Sequence, residues 1–247
     1  MDVSENRRVA VVTGGSRGIG RATVRRFAAD GFAVVINYAG ATGEAQAAVA
    51  EVTAAGGQAI AVQADVADEQ AVSALFDEAE STYGGVDVVV NAAGRMKLAP
   101  LADLDLADLD AMHRTNIRGA FVVSQQAARR LRPGGALILF STSVVGRPLP
   151  DYGAYTSSKS AVEALAVILA KEFRGRDLTV NAVAPGPTAT DLFLEGKDEQ
   201  LLARLAAEPP MERLGTPEDI ARVVSFLAGP DGRWVHGQVL RANGGLV

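Results

Sequence analysis

A tyrosine and a lysine stand four residues apart in the run Tyr155-Thr156-Ser157-Ser158-Lys159. Residues at that spacing share one face of a helix, so the ammonium of Lys159 can approach the phenol of Tyr155. A free phenol titrates near about 10, and a neighbouring cation favours its ionised form. The pair therefore suits proton exchange with a carbonyl or alcohol oxygen near neutral pH. Tyr152 is a rival of the same type, but the residue four positions on is Thr156, which brings no charge to tune it. Taken alone, the spacing equally describes a half-buried tyrosine beside a surface lysine. Upstream, Ser141-Thr142-Ser143 supplies hydroxyls able to hold a carbonyl oxygen, and Asn116 could hold a water beside Lys159. An asparagine is unfavourable inside a helix, which is what draws attention to it.

Side chains this far apart in the chain need a scaffold to bring them together. Apolar runs rich in Val and Ile recur at 9–12, 32–36, 58–62, 86–90, 136–140, 178–183 and 238–240. Most lack strict alternation, as strands covered on both faces do. Helical character fills the gaps at 18–30, 42–55, 68–83, 104–131 and 153–173, with glycine stops at Gly31, Gly56-Gly57 and Gly84-Gly85. Thr216-Pro217-Glu218 then opens a last helix to 227, with an N-cap followed by proline at the first helical position. Strand and helix alternate throughout, which predicts a single α/β domain over 1–247. Its expected form is a doubly wound parallel sheet of about seven strands with helices on both faces, a Rossmann fold. The segment 185–210 breaks the alternation, with no strand and a helical piece at 199–207. A stretch of that length without strands suggests a functional excursion that covers a bound substrate.

The first strand runs into Thr13-Gly14-Gly15-Ser16-Arg17-Gly18-Ile19-Gly20. Glycine permits a sharp turn and removes Cβ where a pyrophosphate must approach, and a helix starting near Gly18 offers unpaired N–H groups to the anion. A tight turn without a ligand is the plainer alternative. On the ligand reading, Gly14, Ser16, Arg17, Gly18, Ile19 and Gly20 make the contacts. The second strand ends Ile36-Asn37-Tyr38-Ala39, without the carboxylate that would bind a free ribose 2′-hydroxyl. The planar donor fork of Arg17 could reach a 2′-phosphate there, so NADP(H) is favoured over NAD(H). Asp65-Val66 follows the third strand, where an acid can accept from the adenine amino group. Asn91-Ala92-Ala93-Gly94 follows the fourth, where small side chains let a dinucleotide lie close to the backbone. All of these sit at the carboxyl edge of one sheet, where open α/β sheets bind ligands.

Composition narrows the partners. The 247 residues carry a formal net charge of −5 and no cysteine. Disulfides and thiolate metal sites are excluded, and no general attraction to nucleic acid or to an anionic membrane follows. The only histidines, His113 and His236, predict no metal cluster. The N-terminal residues lack the order of a secretory signal and no apolar run approaches the ~20 residues of a membrane span, so a cytoplasmic protein is expected.

Over essentially its whole length the chain resembles the short-chain dehydrogenase/reductase family, on the branch that includes the 3-oxoacyl-[acyl-carrier-protein] reductases. The motifs are TGGSRGIG at 13–20, Asp65, NAAG at 91–94, Asn116, SVVG at 143–146, Tyr155-x-x-x-Lys159 and PGPTAT at 185–190. The resemblance implies a tetrad of Asn116, a serine, Tyr155 and Lys159. Tyr155 would be the acid/base and the serine would orient the substrate oxygen. Lys159 would bind the nicotinamide ribose while assisting Tyr155, and Asn116 would maintain a proton-relay water. It further implies that Pro185, Gly186, Thr188 and Thr190 contact the nicotinamide end and that the protein is a homotetramer. Two positions depart from the family pattern. Ala92 stands where a second asparagine is usual, and the serine has two candidates. The Ser-Val-Val-Gly match selects Ser143, the preferred residue, whereas the family spacing of thirteen residues to the tyrosine selects Thr142.

The expected function is an NADP(H)-dependent oxidoreductase moving a hydride between nicotinamide and a carbonyl or secondary alcohol, with 3-oxoacyl thioesters among the candidate substrates. Arg95, Met96, Lys97 and Leu149 would edge the substrate pocket. The alternative is a non-catalytic nucleotide-binding regulatory protein on the same fold, against which the retention of Tyr155 and Lys159 argues.

Overall fold

In a computed structural model that describes residues 7–247, each apolar run becomes a strand. These are β1 (Val9–Thr13), β2 (Ala33–Tyr38), β3 (Gln58–Gln63), β4 (Val86–Asn91), β5 (Leu131–Phe140), β6 (Thr179–Pro185) and β7 (Val239–Ala242). The helices are α1 (Gly18–Ala29), α2 (Thr42–Ala54), α3 (Glu69–Tyr83), α4 (Leu106–His113), α5 (Gly119–Arg130), α6 (Gly153–Glu172), α7 (Asp191–Leu194), α8 (Glu199–Ala207) and α9 (Pro217–Ala228). All strand pairs are parallel, in the order β3-β2-β1-β4-β5-β6-β7.

The missing alternation has a direct cause. Val9 and Val11 of β1 face a core built with Val72, Leu75 and Phe76 of α3, Val123 of α5 and Val162 of α6. Ala10 and Val12 face the opposite core, with Val24 and Phe27 of α1 and Ile220, Val224 and Leu227 of α9. Both faces of the sheet are covered, so every position of β1, β2, β4 and β6 is buried and the two-residue period disappears from the sequence. After β3 the chain crosses to β4 on the other side of β1. That reversal opens a crevice beyond the carboxyl ends of β1 and β4.

Two stretches differ from the sequence reading. The expected helix over 104–131 follows a 3₁₀ turn at Leu101–Asp103 and is broken into α4, a π turn at Arg114–Arg118 and α5. Asn116 lies in the π turn with its side chain bonded outside the helix. Hydrophobic spacing carries no trace of such a bulge, and bulges of this kind favour functional positions. In addition, β5 begins at Leu131, five residues before the apolar run, because Pro133-Gly134-Gly135 is drawn into the strand. A Cβ on Gly135 would lie 2.6 Å from the Asp87 carbonyl oxygen, so glycine is what allows the close approach. The excursion after β6 contains α7 and α8, capped by the side chains of Thr190 and Asp198.

Candidate active site

At the end of β1 the chain turns through Gly14 at φ +63° and Gly18 at φ +54°. A Cβ on Gly20 would lie 2.2 Å from the Gly14 carbonyl oxygen, so the turn closes only on glycine. The N-cap of α1 is Arg17, which places no side chain on the first-turn N–H groups. Those donors, with the dipole behind them, remain available to an anion. The turn forms one wall of a groove through Gly14, Ser16, Arg17, Gly18, Ile19 and Gly20. Asn37, Tyr38, Ala39, Asp65, Val66, Ala92 and Gly94 are also part of its lining. The donor set and the absence of Cβ atoms fit a dinucleotide diphosphate, and exposed Arg17 fits an additional phosphate.

Within this groove the side chains divide their work. Asn37 is fully buried and its Nδ2 donates to the Ala64 carbonyl at 3.0 Å, tying the end of β2 to that of β3. Its Oδ1 is buried without a partner, an acceptor left over for a ligand donor. Asp65 accepts from the Ala67 N–H at 2.9 Å and from Arg114 at 2.7 Å. The backbone N–H of Ala67 and then Arg114 hold its carboxyl below the usual range despite partial burial. Asn91 does not line the groove. It accepts from the Thr13 hydroxyl at 2.9 Å, and that hydroxyl accepts from the Ala93 N–H at 3.1 Å, so Asn91 shapes the Ala92-Ala93-Gly94 turn.

A cavity of about 180 Å³ adjoins the groove, and the two share Ile19, Ala92, Gly94, Arg95, Phe140, Thr190 and Leu192. Tyr155 and Lys159 enter it from the first turns of α6. The Lys159 Nζ donates to the Phe140 carbonyl at 2.8 Å and stands 6.0 Å from the centre of the Tyr155 ring. Burial pushes the phenol up to about 12 and the ammonium down to about 8. The expected pull of Lys159 on the phenol is therefore corrected, because desolvation dominates and the opposing influence on Tyr155 comes from Thr142. Tyr152 lines the same cavity, and burial, then Asp151 and Glu208, raise it as well.

The three hydroxyls after β5 point three ways. Ser141 donates to Glu163 of α6 at 2.6 Å. Thr142 lies beside the Tyr155 phenol. Ser143 is buried, donates to the Ala184 carbonyl at 3.1 Å and accepts from Asn243 Nδ2 at 3.1 Å. Both Thr142 and Ser143 line the cavity with Tyr155, but Thr142 is the hydroxyl beside the phenol, whereas Ser143, the residue preferred from the sequence, is held by Ala184 and Asn243.

Asn116 closes the arrangement. Its Oδ1 accepts from the Arg95 N–H at 2.8 Å, and its Nδ2 donates to the Arg95 carbonyl at 2.9 Å and to Ser158 Oγ at 3.0 Å. Ser158 in turn donates to the Tyr155 carbonyl at 2.7 Å. A Cβ on Gly94 would lie 3.5 Å from both Asn116 Oδ1 and Lys159 Nζ, which marks where groove and cavity meet.

Of the residues expected at the pocket edge, Arg95, Met96 and Leu149 line the cavity, whereas Lys97 does not. Pro185, Gly186, Thr188 and Thr190 form its far wall, and the excursion adds Leu192, Phe193, Leu205 and Glu208. Arg147 and Glu208 pair across the mouth, a contact that no local sequence signal announces.

A family model described as enoyl-(acyl carrier protein) reductase matches residues 14–247. The chain is 42% identical over 254 residues to an NADPH-dependent aldehyde reductase-like protein, chloroplastic, of Arabidopsis thaliana, covering 97% of this chain and 94% of that one. It is 44% identical over 250 residues to a short-chain type dehydrogenase/reductase of Picea abies, covering 97% and 92%. A solved structure of a short chain dehydrogenase from Burkholderia cenocepacia in complex with NADP superposes with a TM-score of 0.92 at 38% identity, covering 98% of this chain and 99% of that one. With its switch-point groove, glycine turn and Tyr155–Lys159 helix matched over nearly the full length of such proteins, the chain belongs to the short-chain dehydrogenase/reductase family.

Proposed function

We propose that this protein is an NADP(H)-dependent oxidoreductase that reduces compact, largely apolar aldehydes and ketones, with Tyr155 as the proton donor. The observation that carries this reading is a half-buried phenol, held in its protonated form, beside Lys159 where the dinucleotide groove opens into an apolar cavity. Gly14, Ser16, Gly18, Ile19 and Gly20 would hold the diphosphate, and Arg17 with Asn37, Tyr38 and Ala39 the 2′-phosphate end. Ala92, Gly94, Pro185, Gly186, Thr188 and Thr190 would flank the nicotinamide. A bound NADPH supplies the hydride.

The chain's own groups supply the rest. Thr142 orients the carbonyl oxygen toward the phenol, and the phenol transfers its proton as negative charge develops there. Lys159, anchored on Phe140, holds a positive charge at the same point. Asn116 positions the site by fixing the Arg95 backbone and, through Ser158, the first turn of α6. Met96, Val144, Leu149, Phe193 and Leu205 make the walls apolar, and α8 with Glu208 closes them. Exposed Phe121 on α5 and Ile168 on α6, each 53% accessible, support a homotetramer assembled through these helices.

The test is NADPH oxidation with a panel of aldehydes, ketones and a 3-oxoacyl thioester, run on wild type and Tyr155→Phe. Turnover should fall by about two to four orders of magnitude in the variant while NADPH binding persists. A variant that kept near-wild-type turnover would remove Tyr155 from this role. Coenzyme binding without turnover of any carbonyl would support the regulatory alternative.

A further inference from the structure

The cavity's charged lining is sparse and asymmetric. Arg95, Arg147, Lys159 and Glu208 are its charged residues among those described. Lys159 is spent on the Phe140 carbonyl deep in the site. At the mouth, Arg147 of the loop after β5 donates through Nη1 to Glu208 Oε2 at 2.6 Å, with Glu208 at the end of α8. The two side chains remain 38% and 29% exposed, so the pair contributes little to stability. Phe193 and Leu205 already present apolar surface to the cavity from the excursion. A carboxylate there therefore matters chiefly to whatever enters.

We propose, resting on the carbonyl-reductase reading above, that Glu208 is a specificity-determining residue that excludes anionic substrates by occupying Arg147. A neutral carbonyl compound passes the pair without an electrostatic penalty. An anionic one must shed water beside a carboxylate at the mouth, where the Arg147 guanidinium that would compensate it is already paired, while Arg95 stands apart at the junction with the coenzyme groove. Removing the carboxylate alone should turn the mouth from a neutral pair into a free cation. The planar fork of Arg147 then becomes a receptor for a substrate carboxylate.

The experiment compares 4-formylbenzoate with its neutral methyl ester. In Glu208→Gln the ratio of kcat/KM for the acid over the ester should rise about tenfold, mostly through a lower KM for the acid, as expected for one newly available charged hydrogen bond. Arg147→Gln should leave that ratio unchanged or lower it, and the reversed pair R147E/E208R should restore the wild-type ratio. The reversed pair also guards against a Glu208→Gln protein that fails to fold. A ratio within about twofold of wild type in Glu208→Gln would overturn the proposal. An equal rise in Arg147→Gln would do the same, since a merely loosened mouth needs no cation.

Binding of 4-formylbenzoate and of its ester to coenzyme-free protein, measured by calorimetry, supplies a second reading of the same ratio. Absence of turnover in all proteins would count against carbonyl reduction, while tighter acid binding in Glu208→Gln would still support the filter and unchanged binding would still refute it.

Discussion

The ammonium of Lys159 and the carbonyl oxygen of Phe140 lie 2.8 Å apart, tying the helix that carries Tyr155 to the last residue of β5. One buried hydrogen bond thereby sets the distance between the strand-end hydroxyls and the phenol. Burial also depresses Lys159 to about 8.

That depression has a sign that can be checked. Between about 8 and the ordinary 10.5 the unfolded chain holds the lysine proton more firmly than the folded one, so this group makes stability rise with pH across that window. The penalty for burying the charge is complete below about 8 and is relieved as the pH climbs through 10.5. Urea unfolding of wild type and Lys159→Met at pH 7 and pH 10 isolates the effect. The loss of the bond to Phe140 is common to both conditions, whereas any advantage of the variant should be greater at the lower pH. An identical difference at both pH values would mean that Lys159 keeps its ordinary affinity for the proton.

Thr142 and Ser143 should separate by assay. Thr142→Ala is expected to lower kcat by about a hundredfold, at the lower end of what a lost transition-state hydrogen bond costs, while Thr142→Ser keeps most activity. Ser143→Ala should instead lower stability by about 1–3 kcal/mol, because Asn243 Nδ2 loses its buried acceptor. Steady-state kinetics and chemical denaturation of the same proteins decide the matter, and the reverse pattern would return the catalytic role to Ser143.

Coenzyme selection should rest partly on Arg17, exposed at the mouth of the phosphate turn. Arg17→Gln is expected to raise the Kd for NADPH about tenfold and to leave NADH nearly unchanged, since only the former has a 2′-phosphate to lose a charged hydrogen bond. Fluorescence titration with both coenzymes reads this directly. Equal weakening of both would assign Arg17 to the diphosphate.

Gly20→Ala should disrupt the turn from inside. The added methyl would lie 2.2 Å from the Gly14 carbonyl oxygen, a backbone atom that cannot move aside without opening the turn. A loss of about 1–3 kcal/mol is expected from overpacking of this kind, together with loss of NADPH binding. Thermal denaturation and coenzyme titration would show both, and a variant with wild-type coenzyme affinity would mean that the turn does not hold the phosphates.

The sequence by itself determined the alternation of strand and helix, the glycine turn and the pairing of Tyr155 with Lys159 on one helical face. Each is a local property, written in apolar runs, backbone permissiveness or helical periodicity. The π turn at Asn116, the direction of Thr142 and Ser143, and the structural use of Asn91 were decided by tertiary packing. Side chains that leave a strand end one residue apart point to different partners according to how the chain exits, and here a 3₁₀ turn at Ser143–Val145 sets that exit. The contact between Arg147 and Glu208 spans 61 residues and exists only because the excursion after β6 folds back over the loop after β5. Burial likewise reversed the tuning expected of Tyr155, because the cost of desolvating a charge depends on everything packed around it rather than on the one neighbour that spacing reveals.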